Sequence, residues 1–158
     1  MRRLKFASFL LVVVSAFLVY GFAANQSQQV DRKQLRDMLV QLGYEVKDLV
    51  TEVGKEKYAV TITKDGLDIP IGYEISPSST YIWLTVNLGQ PPAESSAKNL
   101  ALLKQNTKIQ PTFFYVTDAG RLMVGLPIDN RGVTNAILRQ RSESIVDSVV
   151  RTKDIWTK

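Results

Sequence analysis

Three period-two runs follow one another between residues 57 and 88 with only turn residues between them, and they leave the chain little choice of architecture. Lys57 to Lys64 alternates Tyr58, Val60 and Ile62 with Ala59, Thr61 and Thr63, and Lys64-Asp65-Gly66 then makes a turn. Leu67 to Ile75 sets Ile69, Ile71, Tyr73 and Ile75 on one side. Ser76-Pro77-Ser78-Ser79 turns the chain again, and Thr80 to Leu88 is the third strand. Connections this short join only antiparallel neighbours. Pro70 has no N–H to give to a ladder, so its strand is expected at a sheet edge or bulged there.

Helical periodicity brackets these strands. Val30 to Gly43 carries Leu35, Met38, Leu39 and Leu42 on one stripe. Asp31 is placed to cap it, Gln34 to complete a capping box, Val30 to staple to Leu35, and Gly43 to stop it. Tyr44 to Glu56, with Val46, Leu49, Val50 and Val53, reads as a short strand or a loop. Gly89-Gln90-Pro91-Pro92 leads into a second helix over about Ala93 to Gln105. Its stripe is Ala97, Leu100 and Leu103 with Ala101 nearby, and Asn106 is expected to close it in a left-handed conformation. A hairpin follows, Thr112 to Thr117 and Arg121 to Ile128, joined by Asp118-Ala119-Gly120. A last helix runs from about Gly132 to Arg151 on Val133, Ile137, Leu138, Ile145, Val149 and Val150. The order α-β-β-β-α-β-β-α implies an α+β two-layer domain, an antiparallel sheet covered on one face by helices.

Ahead of this domain stands a different kind of segment. Arg2, Arg3 and Lys5 precede an apolar run from Phe6 to Tyr20, and Gly21-Phe22-Ala23 ends in small residues that a signal peptidase accepts. Residues 1–24 read as an export signal, 25–29 as a polar linker and 30–158 as one domain. Phe6 to Ala24 is about 19 residues, close to the ~20 needed to span a bilayer, so retention as a membrane anchor is the alternative. Either way the domain is expected outside the cytoplasmic membrane, periplasmic or secreted.

The segment also explains the charge. Removing its three cations from the 20 basic residues leaves 17 against 15 acidic ones, which takes away most of the case for nucleic acid as a partner. Cysteine and histidine are both absent. Their loss excludes disulfides, a lipid anchor on a cysteine, imidazole bases and the usual zinc, copper or iron ligands. Asp65-Gly66 and Asp118-Ala119-Gly120 are turn chemistry without the alternating oxygens of a calcium loop. Asp129-Asn130-Arg131-Gly132 reads as a helix-capping stretch. A lysine–serine pair, Lys98 with Ser95 or Ser96, is the one nucleophile arrangement the composition permits, and at helical spacing such residues are ordinarily solvated. No cofactor, no metal and no enzymatic activity are expected.

The strand at Thr80 to Leu88 is apolar on both sides. Tyr81 and Trp83 oppose Ile82, Leu84 and Val86, and on the later hairpin Phe113 and Tyr115 oppose Phe114 and Val116. A sheet covered on one face should be polar on the other, so Tyr81, Trp83, Phe113 and Tyr115 are the candidate partner-binding residues. The alternative is that loops, residues 46–53 or Trp156 cover them.

Five pieces of the chain form a further pattern: Leu42-Gly43-Tyr44, Tyr81-Ile82-Trp83-Leu84, Leu102-Leu103-Lys104-Gln105-Asn106, the Phe113 to Val124 hairpin and Val149-Val150-Arg151-Thr152-Lys153-Asp154-Ile155-Trp156. Through them, over roughly residues 30 to 156, the chain resembles the YbjN-like family of bacterial sensory-transduction regulators. It implies a fold similar to class I type III secretion chaperones and a non-catalytic module that binds a protein or peptide, regulatory or chaperone-like in role. The export signal sets this chain apart from those cytosolic chaperones. A homodimer using the same face, or a small-molecule sensor with a pocket between helices and sheet, are the other readings.

Overall fold

The computed structural model describes residues 28–91 and 96–157. The export or anchor segment, Met1 to Ala24, lies outside the described residues, as does the expected start of the second helix at Ala93.

Helix α1, Arg32–Gln41, starts as its capping residues dictate. The Asp31 carboxylate accepts the Gln34 N–H at 2.8 Å, and Gln34 Oε1 accepts the Asp31 N–H at 2.9 Å. Such a cap stabilises a helix by about 1 kcal/mol. Leu35 and Leu39 are fully buried, Met38 and Leu42 pack at the margin, and Gly43 adopts φ +84° to end the turn.

Six strands follow: β1 Lys47–Val50, β2 Lys57–Lys64, β3 Leu67–Ile75, β4 Tyr81–Gly89, β5 Phe113–Val116 and β6 Leu122–Asp129. They form one sheet in the order β1-β2-β3-β4-β6-β5, with every neighbouring pair antiparallel. The ambiguous segment after α1 is thus a strand, and the element order gains one β. Asp65 (φ +49°) and Gly66 (φ +73°) form the tight turn between β2 and β3. β3 is an interior strand, not the edge that Pro70 suggested. Its pairing with β4 runs only from Gly72 to Ile75, so Pro70 sits beyond that ladder and its missing donor costs nothing there.

Helices α2, Ser96–Gln105, and α3, Asn135–Arg151, and the single turn α4, Lys153–Trp156, complete the domain. α3 lies across β2, β3, β4 and β6 and buries Leu138, Ile145, Val146 and Val149 against Val60, Ile71, Leu84 and Leu126. Each such side chain contributes on the order of 1.5–3 kcal/mol of transfer free energy. Buried hydroxyls are paired among the described residues. Tyr73 Oη and Ser142 Oγ lie 2.7 Å apart, and Thr112 Oγ1 donates to Ser148 Oγ at 2.7 Å.

Three local expectations are corrected. α3 is capped by Thr134, whose hydroxyl accepts the Ile137 N–H at 3.2 Å, while Asp129 bonds Arg131. On α2 it is Leu102 that is buried, whereas Leu100 and Leu103 of the expected stripe are 52% and 62% exposed. Four consecutive apolar residues, Leu100 to Leu103, leave the phase of that helix open in sequence. Packing chiefly against β5 and α4 then decides which of them is covered. Asn106 is not left-handed. Asp65 and Ser79 are the non-glycine residues with positive φ among the described residues, and Asn106 instead sends its side chain to β5.

Candidate functional site

Alternation along β4 sends Ile82, Leu84 and Val86 into the core and Tyr81, Trp83, Thr85 and Asn87 to the opposite face. On β5 the same alternation buries Phe114 and turns Phe113 and Tyr115 outward. β4 and β5 are not neighbours, since β6 lies between them. Register nevertheless aligns the outward residues: Thr85, Gly125 and Phe113 form one row across the three strands, and Asn87, Met123 and Tyr115 the next.

The four candidate residues form one ladder. Tyr81 and Trp83 rings are 6.4 Å apart, Trp83 and Phe113 6.2 Å at 82°, and Phe113 and Tyr115 5.7 Å. Tilted and edge-to-face contacts of this kind add about 0.5–1.5 kcal/mol each beyond area burial. Tyr81 is 43% exposed, and the other three are half-buried. Burial pushes the Tyr115 hydroxyl above the ordinary phenol range, with the Glu74 charge adding to it.

Two of the alternative covers, Trp156 and residues 47–50, lie away from the ladder. The Trp156 indole donates to the Val149 carbonyl at 2.9 Å, on the helix side. Residues 47–50 are β1, separated from β4 by two strands. Beside the ladder the same face holds a trough of about 520 Å³, floored by Ala59, Thr61, Gly72 and Thr85 and rimmed by Glu45, Lys47 and Leu49. A Cβ on Gly72 would approach Thr85 Oγ1 to 3.0 Å, so the small residue keeps the floor flat. Lys57 and Glu74 pair on this face, and Glu74 lies opposite Trp83 on β4. At the other end Tyr81 lies opposite Asp129, whose carboxyl is held down to about 2 by bonds from the Arg131 guanidinium and backbone N–H.

Sequence reasoning passed over Gly125. An ideal Cβ there would meet Tyr115 Cε1 at 3.1 Å and Phe113 Cζ at 3.2 Å, so its bare backbone is what the β5 rings lie against. A glycine inside the strand Val124-Gly125-Leu126 was the signal, since such a residue marks a close approach.

No cluster of three acidic, cysteine or histidine side chains able to hold a metal occurs among the described residues. Lys98 lies on α2, away from this face, and Ser95 falls outside the described residues.

No protein-family model matches the chain, so its YbjN-like resemblance rests on the sequence pieces alone. No curated protein matches it either. Solved structures do. A chain of the heterodimeric ExoU–SpcU complex from the type III secretion system of Pseudomonas aeruginosa aligns with 76% of this chain and 95% of its own, at 17% identity and a TM-score of 0.48. A chain of the HopA1–SchA chaperone–effector complex aligns with 75% of this chain and 88% of its own, at 9% identity and a TM-score of 0.53. The second likeness gives this chain a secretion-chaperone-like fold.

Proposed function

We propose that this chain is an exported, non-enzymatic module that binds a protein or peptide partner on the open face of its sheet. Tyr81, Trp83, Phe113 and Tyr115 make the contact. The observation that carries this reading is the continuous aromatic ladder on the face turned away from the helices. Tyrosine and tryptophan are the residues most enriched at such anchors, where they bury large area at little entropic cost. The fold shared with a chain of a chaperone–effector complex supports a partner that is itself a polypeptide. In this reading the chain is YbjN-like. Residues 1–24 deliver it to the periplasm or beyond, either removed after export or kept as its anchor.

The test is affinity capture from an envelope extract with the tagged chain, run beside Trp83→Ala and Tyr115→Ala. Both variants should keep the far-UV circular dichroism of the wild type and lose the captured partner. Unfolding of both would make these residues core and end the surface reading. Recovery of this chain alone would replace the partner by a second copy.

A further inference from the structure

β5 is the outermost strand at its end of the sheet. Its sequence, Phe113-Phe114-Tyr115-Val116, is uncharged, strongly β-forming and without proline. An edge of that composition is a template for pairing with another chain. Part of its outward bonding capacity is already taken. Asn106, one residue past α2, accepts the Phe114 N–H on Oδ1 at 2.8 Å and donates from Nδ2 to the Phe114 carbonyl at 3.3 Å. A single side-chain amide thereby makes the two bonds that an antiparallel neighbour would make at that residue.

Strand alternation sends the N–H and C=O of Val116 to the same outer side as those of Phe114. The Val116 side chain is 55% exposed, and Leu103 of α2, 62% exposed, lines the same groove. The segment is self-complementary, because one copy of β5 turned by a two-fold axis offers the other the same four residues in antiparallel register.

We propose that Asn106 is an edge guard: it occupies the pairing positions of Phe114 and so holds β5 closed against the β5 of a second copy of this chain. The device acts on the β5 backbone in the plane of the sheet, whereas the aromatic face is made by side chains standing off that plane, Phe113 and Tyr115 of the same strand among them, so it stands whether or not that face binds a partner. It also gives Asn106 a role that a helix C-terminus alone does not require.

Sedimentation of the whole chain over a concentration series, in a mild non-ionic detergent to solvate residues 6–20, tests it. Asn106→Ala should self-associate at least about tenfold more tightly than the wild type, because two hydrogen bonds per copy no longer have to be displaced before pairing. Adding Val116→Lys should restore wild-type behaviour, and adding Trp83→Ala should not. Wild-type behaviour of folded Asn106→Ala would overturn the proposal, as would association abolished by Trp83→Ala but not by Val116→Lys. If Asn106→Ala fails to fold, Asn106→Ser is read in the same way, since serine keeps a polar helix end but does not reach both groups.

Discussion

Trp83 and Phe113 meet edge to face with ring centroids 6.2 Å apart, although a whole strand separates the strands that carry them. The strand between is β6, and in the row of Phe113 it contributes Gly125, which has no side chain to stand between the rings. The ladder depends on that absence as much as on the aromatic residues.

Gly125→Val is therefore expected to divide the ladder while removing no aromatic atom. Gly125 is not among the positive-φ glycines, so the effect is steric and arises from the 3.1 and 3.2 Å approaches to Tyr115 and Phe113. Those rings are half-exposed and able to swing outward, which keeps the stability loss near ~1 kcal/mol, at the low end for overpacking. Near-UV circular dichroism should lose aromatic intensity and partner capture should fall as in Trp83→Ala. An unchanged aromatic spectrum with capture intact would refute the dependence.

The α2 helix provides a second prediction. Leu102→Ala should destabilise the domain by about 2–5 kcal/mol, as expected for a buried leucine. Leu100→Ala and Leu103→Ala should each stay within about 0.5 kcal/mol. Urea unfolding of the three variants checks this, and a larger loss at Leu103 than at Leu102 would rotate the helix from the described phase.

Much of this architecture was legible because the pattern carried one period and one set of stops. β2 and β3 begin and end where alternation and the Asp65-Gly66 turn place them, and Asp31 and Gln34 announce α1 from local chemistry alone. The outward placement of Tyr81, Trp83, Phe113 and Tyr115 follows from parity along each strand. Their adjacency does not, because it depends on β6 inserting between β4 and β5, a long-range choice with no local signature. The phase of α2 was hidden by a four-residue apolar run, and the role of Asn106 by its ordinary aptitude for ending helices. Pro70 misled because edge status belongs here to one stretch of a strand, not to the strand.

Asn130 shows how the N-terminal segment is fixed to the domain. Its buried side chain accepts the Val30 N–H at 3.2 Å and donates to the carbonyls of Val30 and Ser79, each at 2.9 Å. Asn130→Asp keeps the acceptor and loses both donors, leaving a carboxylate against two carbonyl oxygens. A loss of about 1–3 kcal/mol is expected from the unpaired groups. Limited proteolysis should cut near residues 28–31 sooner than in the wild type. Cleavage kinetics equal to wild type would show that the bridge between Gln29 and Arg131 holds the segment without Asn130.

Tyr73 ties stability to alkaline pH. Its side chain is 1% exposed, and burial raises its hydroxyl far above the ordinary value of 10. Ser142 Oγ donates to the Leu138 carbonyl at 2.8 Å, so its contact with Tyr73 is accepted from the phenol O–H, which must keep its proton to make it. Because the folded state holds this proton more tightly than the unfolded one, the contribution is complete below about pH 10 and is lost as pH rises beyond it. Burial raises Tyr44, Tyr58 and Tyr115 as well, so the decline is shared. Tyr73→Phe should lose about 1 kcal/mol at pH 7 with the hydrogen bond. Above pH 10 it should decline less steeply than the wild type, by up to about 1.4 kcal/mol per pH unit, the slope of one proton. Urea midpoints from pH 7 to 11.5 should therefore converge, and parallel curves would show that Tyr73 ionises in the folded protein.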